Sequence, residues 1–94
     1  MRAIQESHSR LMNCSVFRSP RKDYTYLYLA DDCRLEDLPS TLLDAFGTPE
    51  FVIGLELSPE RQLASEDVGE VMANLREQGY HLQLPPGDQV GDLI

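Results

Sequence analysis

The strongest constraint on this fold is a run of six residues in which aromatic and aliphatic side chains alternate. Residues 24–29 read Tyr-Thr-Tyr-Leu-Tyr-Leu, a composition that favours a β-strand. Successive side chains of a strand point to opposite faces of the sheet. The three tyrosines therefore share one face of this strand, while Leu27 and Leu29 share the other. Both sets disfavour full exposure, so the fold depends on how each face of the sheet is covered.

A shorter strand signal precedes this run and predicts a β-hairpin. Residues 13–18 read Asn-Cys-Ser-Val-Phe-Arg and include β-branched and aromatic side chains. Residues 19–23 then supply turn chemistry, because Pro20 presets its own backbone angle and Asp23 can hydrogen-bond the local backbone. Two strand-like runs around a five-residue turn are typical of a hairpin.

Two segments carry the periodicity of amphipathic helices. In residues 38–46 the apolar side chains recur every four positions, and Gly47 follows as a helix-ending residue. A second helix begins after an N-cap at Ser65 and ends at Gly79, with apolar residues at the i, i+3, i+4, i+7 spacing of a buried stripe. The two stripes consist of Leu38, Leu42 and Phe46 in the first helix and Val68, Val71, Met72 and Leu75 in the second.

Two further alternating segments predict the remaining strands and complete the fold class. Residues 80–84 form the last strand, and residues 50–57 place a set of apolar side chains on one side. The element order β-β-α-β-α-β predicts a single-domain α/β sandwich with one four-stranded sheet. The apolar set on one side of the third strand comprises Phe51, Ile53, Leu55 and Leu57.

The chain is expected to divide into an N-terminal extension at 1–11, the α/β domain at 12–86 and a short tail at 87–94. Two helices can cover one face of the sheet, which leaves the tyrosine side either partly open or sheltered by a chain end. We favour a terminal segment there, because apolar side chains near both ends need burial. These side chains are Leu11, Met12, Val90, Leu93 and Ile94.

The charge is unevenly distributed along the chain. The net charge of −8 argues against non-specific nucleic-acid binding, yet residues 1–22 carry +4 and residues 35–94 carry −10. Arg18, Arg21 and Lys22 form a basic turn beside the tyrosines. This turn is either a phosphate or RNA contact, since cations give affinity and aromatic rings stack on bases, or a solvated turn that keeps the hairpin edge from mispairing.

The sequence offers little support for catalysis or for a bound cofactor. His81 is a candidate general acid or base, but histidines at such positions more commonly have a structural role. The cysteines and histidines lack the close pairs of a zinc site, so we predict no metal and no cofactor. No apolar run is long enough for a membrane span, and residues 1–13 lack a secretory signal. We therefore expect a cytoplasmic protein in which Cys14 and Cys33 stay reduced.

Several segments resemble the YcgL family of small proteobacterial proteins. They are residues 13–18, residues 21–28, the pair Phe46-Gly47 and above all residues 78–86, which read Gln-Gly-Tyr-His-Leu-Gln-Leu-Pro-Pro. The resemblance covers about residues 12–86 and implies a compact α/β sandwich. It implies no established activity, so it assigns no catalytic residue. Members of the family are often encoded near ribonuclease D, which points by association toward RNA metabolism.

Two hypotheses of function remain. The first is a non-enzymatic cytoplasmic protein–protein interaction module, and the second is an RNA-binding accessory factor that uses the basic turn and nearby tyrosines. Two copies of the chain could also pair through the edges of their hairpins. The candidate binding surface consists of Arg18, Arg21, Lys22, Tyr24, Tyr26, Tyr28 and His81.

Overall fold

A computed structural model describes residues 11–63 and 66–85, which form one antiparallel sheet between two helices. The strand order is β3-β1-β2-β4, so the hairpin lies at the centre and the two later strands form the edges. The predicted α/β class with one four-stranded sheet is confirmed. The elements are β1 (Met12–Arg18), β2 (Tyr26–Ala30), a 3-10 turn (Leu35–Asp37), α1 (Ser40–Phe46), β3 (Glu50–Leu57), α2 (Val68–Gln78) and β4 (Tyr80–Gln83).

The central hairpin pairs in regular register, with Cys14 opposite Ala30 and Arg18 opposite Tyr26. Its second strand begins two residues later than predicted, because Tyr24 lies in the turn with a φ of 59°. That left-handed conformation is incompatible with a strand. Both edges of the hairpin are occupied, β1 by β3 and β2 by β4. The hairpin strands themselves therefore offer no free edge to a second copy, since β3 and β4 are the edges of this sheet.

The two helices lie on opposite faces of the sheet, in contrast to the predicted cover of one face by both. On the face that carries Tyr26 and Tyr28, here called the tyrosine face, α2 packs over a buried cluster. On the leucine face, α1 packs over Leu27 and Leu29. Each apolar face of β2 thus has its own helix. The clusters are Cys14, Val16, Tyr28, Ala30, Leu57, Val71, Met72 and Leu75 on the first face and Leu27, Leu29, Leu38, Leu42 and Phe46 on the second.

We expected a chain end to cover the tyrosine face. This expectation is wrong at Tyr28, which is 6% exposed and is covered by α2. From the N-terminal side, Met12 does pack against this cluster, whereas Leu11 is exposed. Residues 1–10 and 86–94 lie outside the described residues, and with them the predicted tail at 87–94 and most of the predicted extension at 1–11.

A β-bulge breaks the predicted alternation of β3. The register with β1 shifts between Val16 and Phe17, so that Ile53 faces Val16 while Phe51 faces Phe17. One extra residue, Val52, moves Phe51 to the leucine face. There its ring meets that of Phe17 edge to face at 5.8 Å. The prediction that Phe51 shares a side with the later apolar residues of β3 is therefore wrong.

The ends of α2 differ in how well the sequence predicts them. The N-cap is Asp67, whose Oδ1 accepts a hydrogen bond from Gly69 N at 3.1 Å, and not the predicted Ser65, which lies outside the described residues. The predicted end at Gly79 is confirmed. Gly79 has a φ of +90°, and a Cβ there would come within 2.6 Å of Cys33 Sγ. Both the backbone angle and the close approach require glycine.

We expect Leu75→Ala to destabilise the fold, because Leu75 is 3% exposed in the cluster under α2. A large-to-small change at such a position costs about 2–5 kcal/mol. Urea unfolding followed by circular dichroism measures this loss. Glu77→Ala on the exposed side of the same helix is the control and should change the stability by less than about 0.5 kcal/mol. Equal stability of the two variants would contradict the packing of α2 described above.

Candidate functional site

The basic turn between β1 and β2 contains one arginine whose charge is already paired. Arg18 binds the Oε1 atom of Glu50 through Nη2 at 2.9 Å and through Nε at 3.3 Å, across the neighbouring strands β1 and β3. Both side chains are exposed, so the pair contributes little to stability. Its effect is to neutralise the charge of Arg18, which leaves Arg21 and Lys22 as the cations of the turn.

A buried serine that the sequence analysis missed holds this turn in place. Ser19 is 5% exposed, and its Oγ donates to the carbonyl oxygen of Phe46 at 2.6 Å. Ser19 Oγ also accepts hydrogen bonds from the backbone N–H groups of Arg21 at 3.1 Å and Lys22 at 3.0 Å. The turn is thereby fixed to the end of α1. The signal in the sequence was a serine directly before Pro20, which is a common turn-forming arrangement.

The side chain of Arg21 lies over Gly47 at the end of α1. Gly47 has a φ of +86°, and a Cβ at this position would come within 3.0 Å of the Cγ of Arg21. Arg21 also lines a shallow groove of about 480 Å³ that contains both acidic and apolar side chains. This mixture of charges does not favour a polyanion. The other lining residues are Leu35, Glu36, Leu43, Asp44, Gly47, Thr48 and Pro49.

The three tyrosines of the predicted binding surface do not lie together on the surface. Tyr28 is buried and its hydroxyl donates to Gln83 Oε1 at 2.8 Å, while Tyr26 is half-buried. Tyr24 is 73% exposed and lies in the turn, close in sequence to Arg21 and Lys22. Of the three rings, Tyr24 is the one that is open to a stacking partner.

His81 is buried between β4 and α2 with both ring nitrogens engaged. Its Nε2 lies 2.6 Å from Glu66 Oε1, and its Nδ1 lies 2.9 Å from the Asn74 amide nitrogen. An amide nitrogen donates, so Nδ1 accepts from Asn74 and Nε2 donates to Glu66. The ring also meets that of Tyr28 edge to face at 5.7 Å. The structure brings His81 and Tyr28 together, but in the interior, where His81 joins α2 to the sheet.

Within residues 11–63 and 66–85, β3 is an outer strand of the sheet and its exposed side chains are apolar, a feature that sequence reasoning missed. Phe51 is 64% exposed, and Val52 and Ile53 are each 48% exposed. A strand with one buried face alternates apolar and polar residues, so three consecutive apolar residues were the available signal. We call Phe51, Val52 and Ile53 the apolar edge segment.

The residue that follows this segment, Gly54, directs its peptide N–H and C=O groups away from the sheet. On β1, the carbonyl oxygen of Asn13 accepts from the N–H of Asp31, so odd-numbered residues of β1 direct their peptide groups to β2. Alternate residues bond opposite neighbours, and Cys14 therefore bonds its partner Leu55 on β3. The intervening residue of β3, Gly54, directs its N–H and C=O outward.

The next outward carbonyl on this edge is covered by a side chain. Glu56 faces outward by the same alternation, and its carbonyl oxygen accepts from Arg61 Nη1 at 3.3 Å. Covering an edge in this way is a common protection against unwanted pairing. The stretch from Phe51 to Gly54 lacks that cover from Arg61, so β3 offers both apolar side chains and backbone hydrogen-bonding groups to a partner.

Within the described ranges, no three His, Cys, Asp or Glu side chains are grouped so as to hold a metal ion. No helix among residues 11–63 and 66–85 is long and apolar enough to cross a membrane.

Comparison with known proteins assigns the same span of sequence to one family. Residues 14–86 match the family model for the YcgL domain. The chain is 52% identical over 75 residues to a YcgL domain-containing protein of Stutzerimonas stutzeri (strain A1501), a match that covers 80% of this chain and 77% of the relative. It is 51% identical over 76 residues to a YcgL domain-containing protein of Pseudomonas aeruginosa (strain LESB58), covering 81% and 78% of the two chains.

Cys14 is the first residue of the matched span. Ionisation of its buried thiol should destabilise the fold at alkaline pH. Burial raises the pKa of this thiol from 9.0 to about 11, with Asp31 adding to the shift and Arg61 opposing it. The folded state keeps the thiol neutral, while the unfolded chain ionises it above about pH 9. The contribution of the neutral thiol to the free energy of unfolding is therefore fully present below about pH 9 and is lost as the pH rises through 11. At pH 10.5 the loss is about 2 kcal/mol.

Urea unfolding at about pH 7.5 and pH 10.5 measures this effect. We expect Cys14→Ala to lose about 2 kcal/mol less stability than the wild type over this interval, because the variant has no thiol to ionise. Tyr28 titrates in both proteins, and its pKa is raised mainly by burial, so most of its contribution cancels in the comparison. Equal losses in the two proteins would contradict the buried, neutral thiol.

Proposed function

The chain belongs to the YcgL domain family, and we propose that it acts as a cytoplasmic, non-enzymatic protein–protein interaction module. The observation that carries this proposal is the apolar edge segment of β3, where Phe51, Val52 and Ile53 are exposed on the open edge of the sheet. The free thiols of Cys14 and Cys33 are compatible with the reducing cytoplasm.

An edge strand of this kind can bind an extended segment of another chain. The incoming strand hydrogen-bonds to the outward peptide groups, which gives affinity, while side-chain contacts give specificity. At β3 the peptide group of Gly54 supplies the hydrogen bonds, and the exposed side chains of Val52 and Ile53 supply apolar contact. Natural proteins usually protect an edge with charge, and this stretch of four residues contains none.

The surroundings of the edge favour a protein partner over a nucleic acid. Glu56 is exposed on the same strand, and Glu50 forms a salt bridge with Arg18, so the edge offers no excess of positive charge. The net charge of −8 adds to the repulsion of a phosphate backbone. A polypeptide strand, in contrast, can supply the N–H and C=O groups that match those of β3.

We expect a photo-crosslinking amino acid in place of Val52 to capture a partner in cells of the organism that makes the chain. Val52 is 48% exposed at the centre of the apolar edge segment, so a bound strand lies within reach of the probe. The same probe in place of Thr41, an exposed residue of α1, is the matched control. Electrophoresis should show a discrete adduct from position 52 that is absent from position 41.

The masses of the adducts separate the possible partners. An adduct of any polypeptide at position 52 supports the proposal, whether the captured chain is a second copy or a different protein. Equal adduct patterns from positions 52 and 41, or no adduct from position 52, would refute a binding role for the β3 edge.

A second candidate function, RNA binding, rests on the fixed conformation of the basic turn. Ser19 holds the backbone N–H groups of Arg21 and Lys22, and Tyr24 next to them is 73% exposed. Two cations beside an open aromatic ring can contact single-stranded RNA, where phosphates bind the cations and a base stacks on the ring.

This candidate predicts salt-dependent binding that the double variant Arg21→Ala/Lys22→Ala weakens. Two lost phosphate contacts should reduce the slope of log affinity against log salt by about 1.4 for a single strand. Fluorescence anisotropy with a labelled single-stranded RNA measures this slope. Arg76→Ala removes a cation from the last turn of α2 and is the control. Undetectable binding at low salt, or equal slopes for the two variants, would exclude the basic turn as an RNA contact.

A further inference from the structure

We propose that the strand added to β3 is the β3 strand of a second copy of this chain. The proposal rests on the proposed interaction function and names the partner of that same edge. The two β3 strands pair antiparallel about a two-fold axis at Gly54, which joins the two sheets into one sheet of eight strands. An interface built from the same patch on both subunits is the commonest form of a symmetric dimer.

The backbone of β3 fixes Gly54 as the position of the axis. Its N–H and C=O both point outward, so Gly54 of each copy can donate to and accept from Gly54 of the other. A residue pair that exchanges both bonds in this way is the hydrogen-bonded pair of an antiparallel ladder. Glycine brings no side chain to the axis, and a Cβ at Gly54 would meet only Cys14 O, at 3.9 Å.

The residues on either side of the axis bring apolar side chains together. In this register Ile53 of one copy lies opposite Leu55 of the other, and the pair occurs twice. Both side chains lie on the tyrosine face, because they pair with Val16 and Cys14 of β1. Their peptide groups bond to β1, so across the new interface they form a non-hydrogen-bonded pair, in which side chains approach most closely.

The charges of β3 are compatible with this register. With the axis at Gly54, Glu56 lies opposite Val52 of the second copy, so an acidic residue faces an apolar one. Glu50 lies beyond the bulge at Val52, outside the regularly paired residues. Like charges, which destabilise a strand pair when they lie directly opposite each other, therefore do not face each other across the axis.

The same register also brings opposite charges together. Arg61 lies at the edge, where its Nη1 contacts Glu56 O. Arg61 lines a groove together with Leu63 and Val68, both of which pack against the buried cluster of the tyrosine face, so its side chain lies on that side. Glu50 is on that face as well, since its partner Arg18 pairs with Tyr26.

The distance along the strand lets these charges meet. Val52 of the second copy lies opposite Glu56, and Glu50 of that copy is two residues further along, at most about 7 Å away along the strand because the bulge at Val52 shortens the path. An arginine side chain spans that distance. On pairing, Arg61 exchanges its contact with Glu56 O for Glu50 of the other copy, which frees that carbonyl for the ladder. Each end of the paired strands then holds Glu50 of one copy between its own Arg18 and Arg61 of the other copy.

The dimer is expected to be weak. Pairing of about five residues per copy buries less than the roughly 1,200 Å² that marks the lower limit of stable interfaces. Each copy carries a net charge of −8, and the resulting repulsion is screened at about 0.15 M salt, where the Debye length is about 8 Å. We expect a dissociation constant on the order of 10–100 µM.

Sedimentation of the purified chain from about 10 to 500 µM tests the association. We expect the average mass to rise toward that of a dimer, and Gly54→Pro to remain a monomer over the whole range. Proline removes the outward N–H of Gly54, which makes no bond to β1, so the fold should survive as edge strands tolerate such prolines. A wild type that stays monomeric at all concentrations would overturn the proposal.

Disulfide crosslinking tests the register and does not require proline in the strand. With oxidised glutathione as oxidant, we expect Gly54→Cys to form a covalent dimer at least about ten times faster than Glu56→Cys, since two positions 54 face each other while two positions 56 are about 13 Å apart. Both variants keep the native cysteines, so their background is equal. Equal crosslinking of the two variants would overturn the register.

The outcomes separate this inference from the proposed function. A monomer in sedimentation, together with a heavier adduct of a different protein at position 52 in cells, would refute self-pairing and leave the interaction function standing. No adduct at position 52, together with a dimer that Gly54→Pro does not affect, would refute both.

Discussion

The fold of this chain depends on a central strand that is apolar on both faces. Within β2, Leu27 is fully buried on one side and Tyr28 is 6% exposed on the other. Each exposed apolar face would cost about 25 cal/mol for every Å² left in water, so a single helix layer could not stabilise this strand. The chain therefore places α1 on one face and α2 on the other, and the remaining strands follow from the need to connect these helices around the hairpin.

Polar side chains then fix the helices where apolar packing alone would let them slide. On the tyrosine face, His81 bridges Glu66 and Asn74 and so ties α2 to β4. On the leucine face, Ser19 ties the hairpin turn to the end of α1. Every buried side-chain nitrogen and oxygen of residues 11–63 and 66–85 has a hydrogen-bond partner. Low polarity makes such bonds costly to break, so they define one arrangement of the layers.

Local patterns predicted the elements of this fold, while long-range contacts escaped them. The alternation of β2 and the stripe around Leu75 are properties of neighbouring residues, and both are confirmed. The side of the sheet chosen by each helix depends on chain crossings that periodicity does not encode. The bulge at Val52 needs the register with β1, and the burial of His81 needs Glu66, fifteen residues away. Phe51 is exposed and lies outside both buried clusters, which the alternation of β3 did not indicate.

The short β4 strand sets a limit on how far this sheet can grow. It has four residues, Tyr80–Gln83, and Pro85 follows after one more residue. Proline has no N–H to donate and stops further ladder formation on that side. A strand that joins at β3 thus enlarges the sheet once, and the opposite margin resists a second addition. In the proposed pairing, one border of the sheet binds a strand and the other does not, and this asymmetry permits a closed complex and opposes the endless stacking of a fibre.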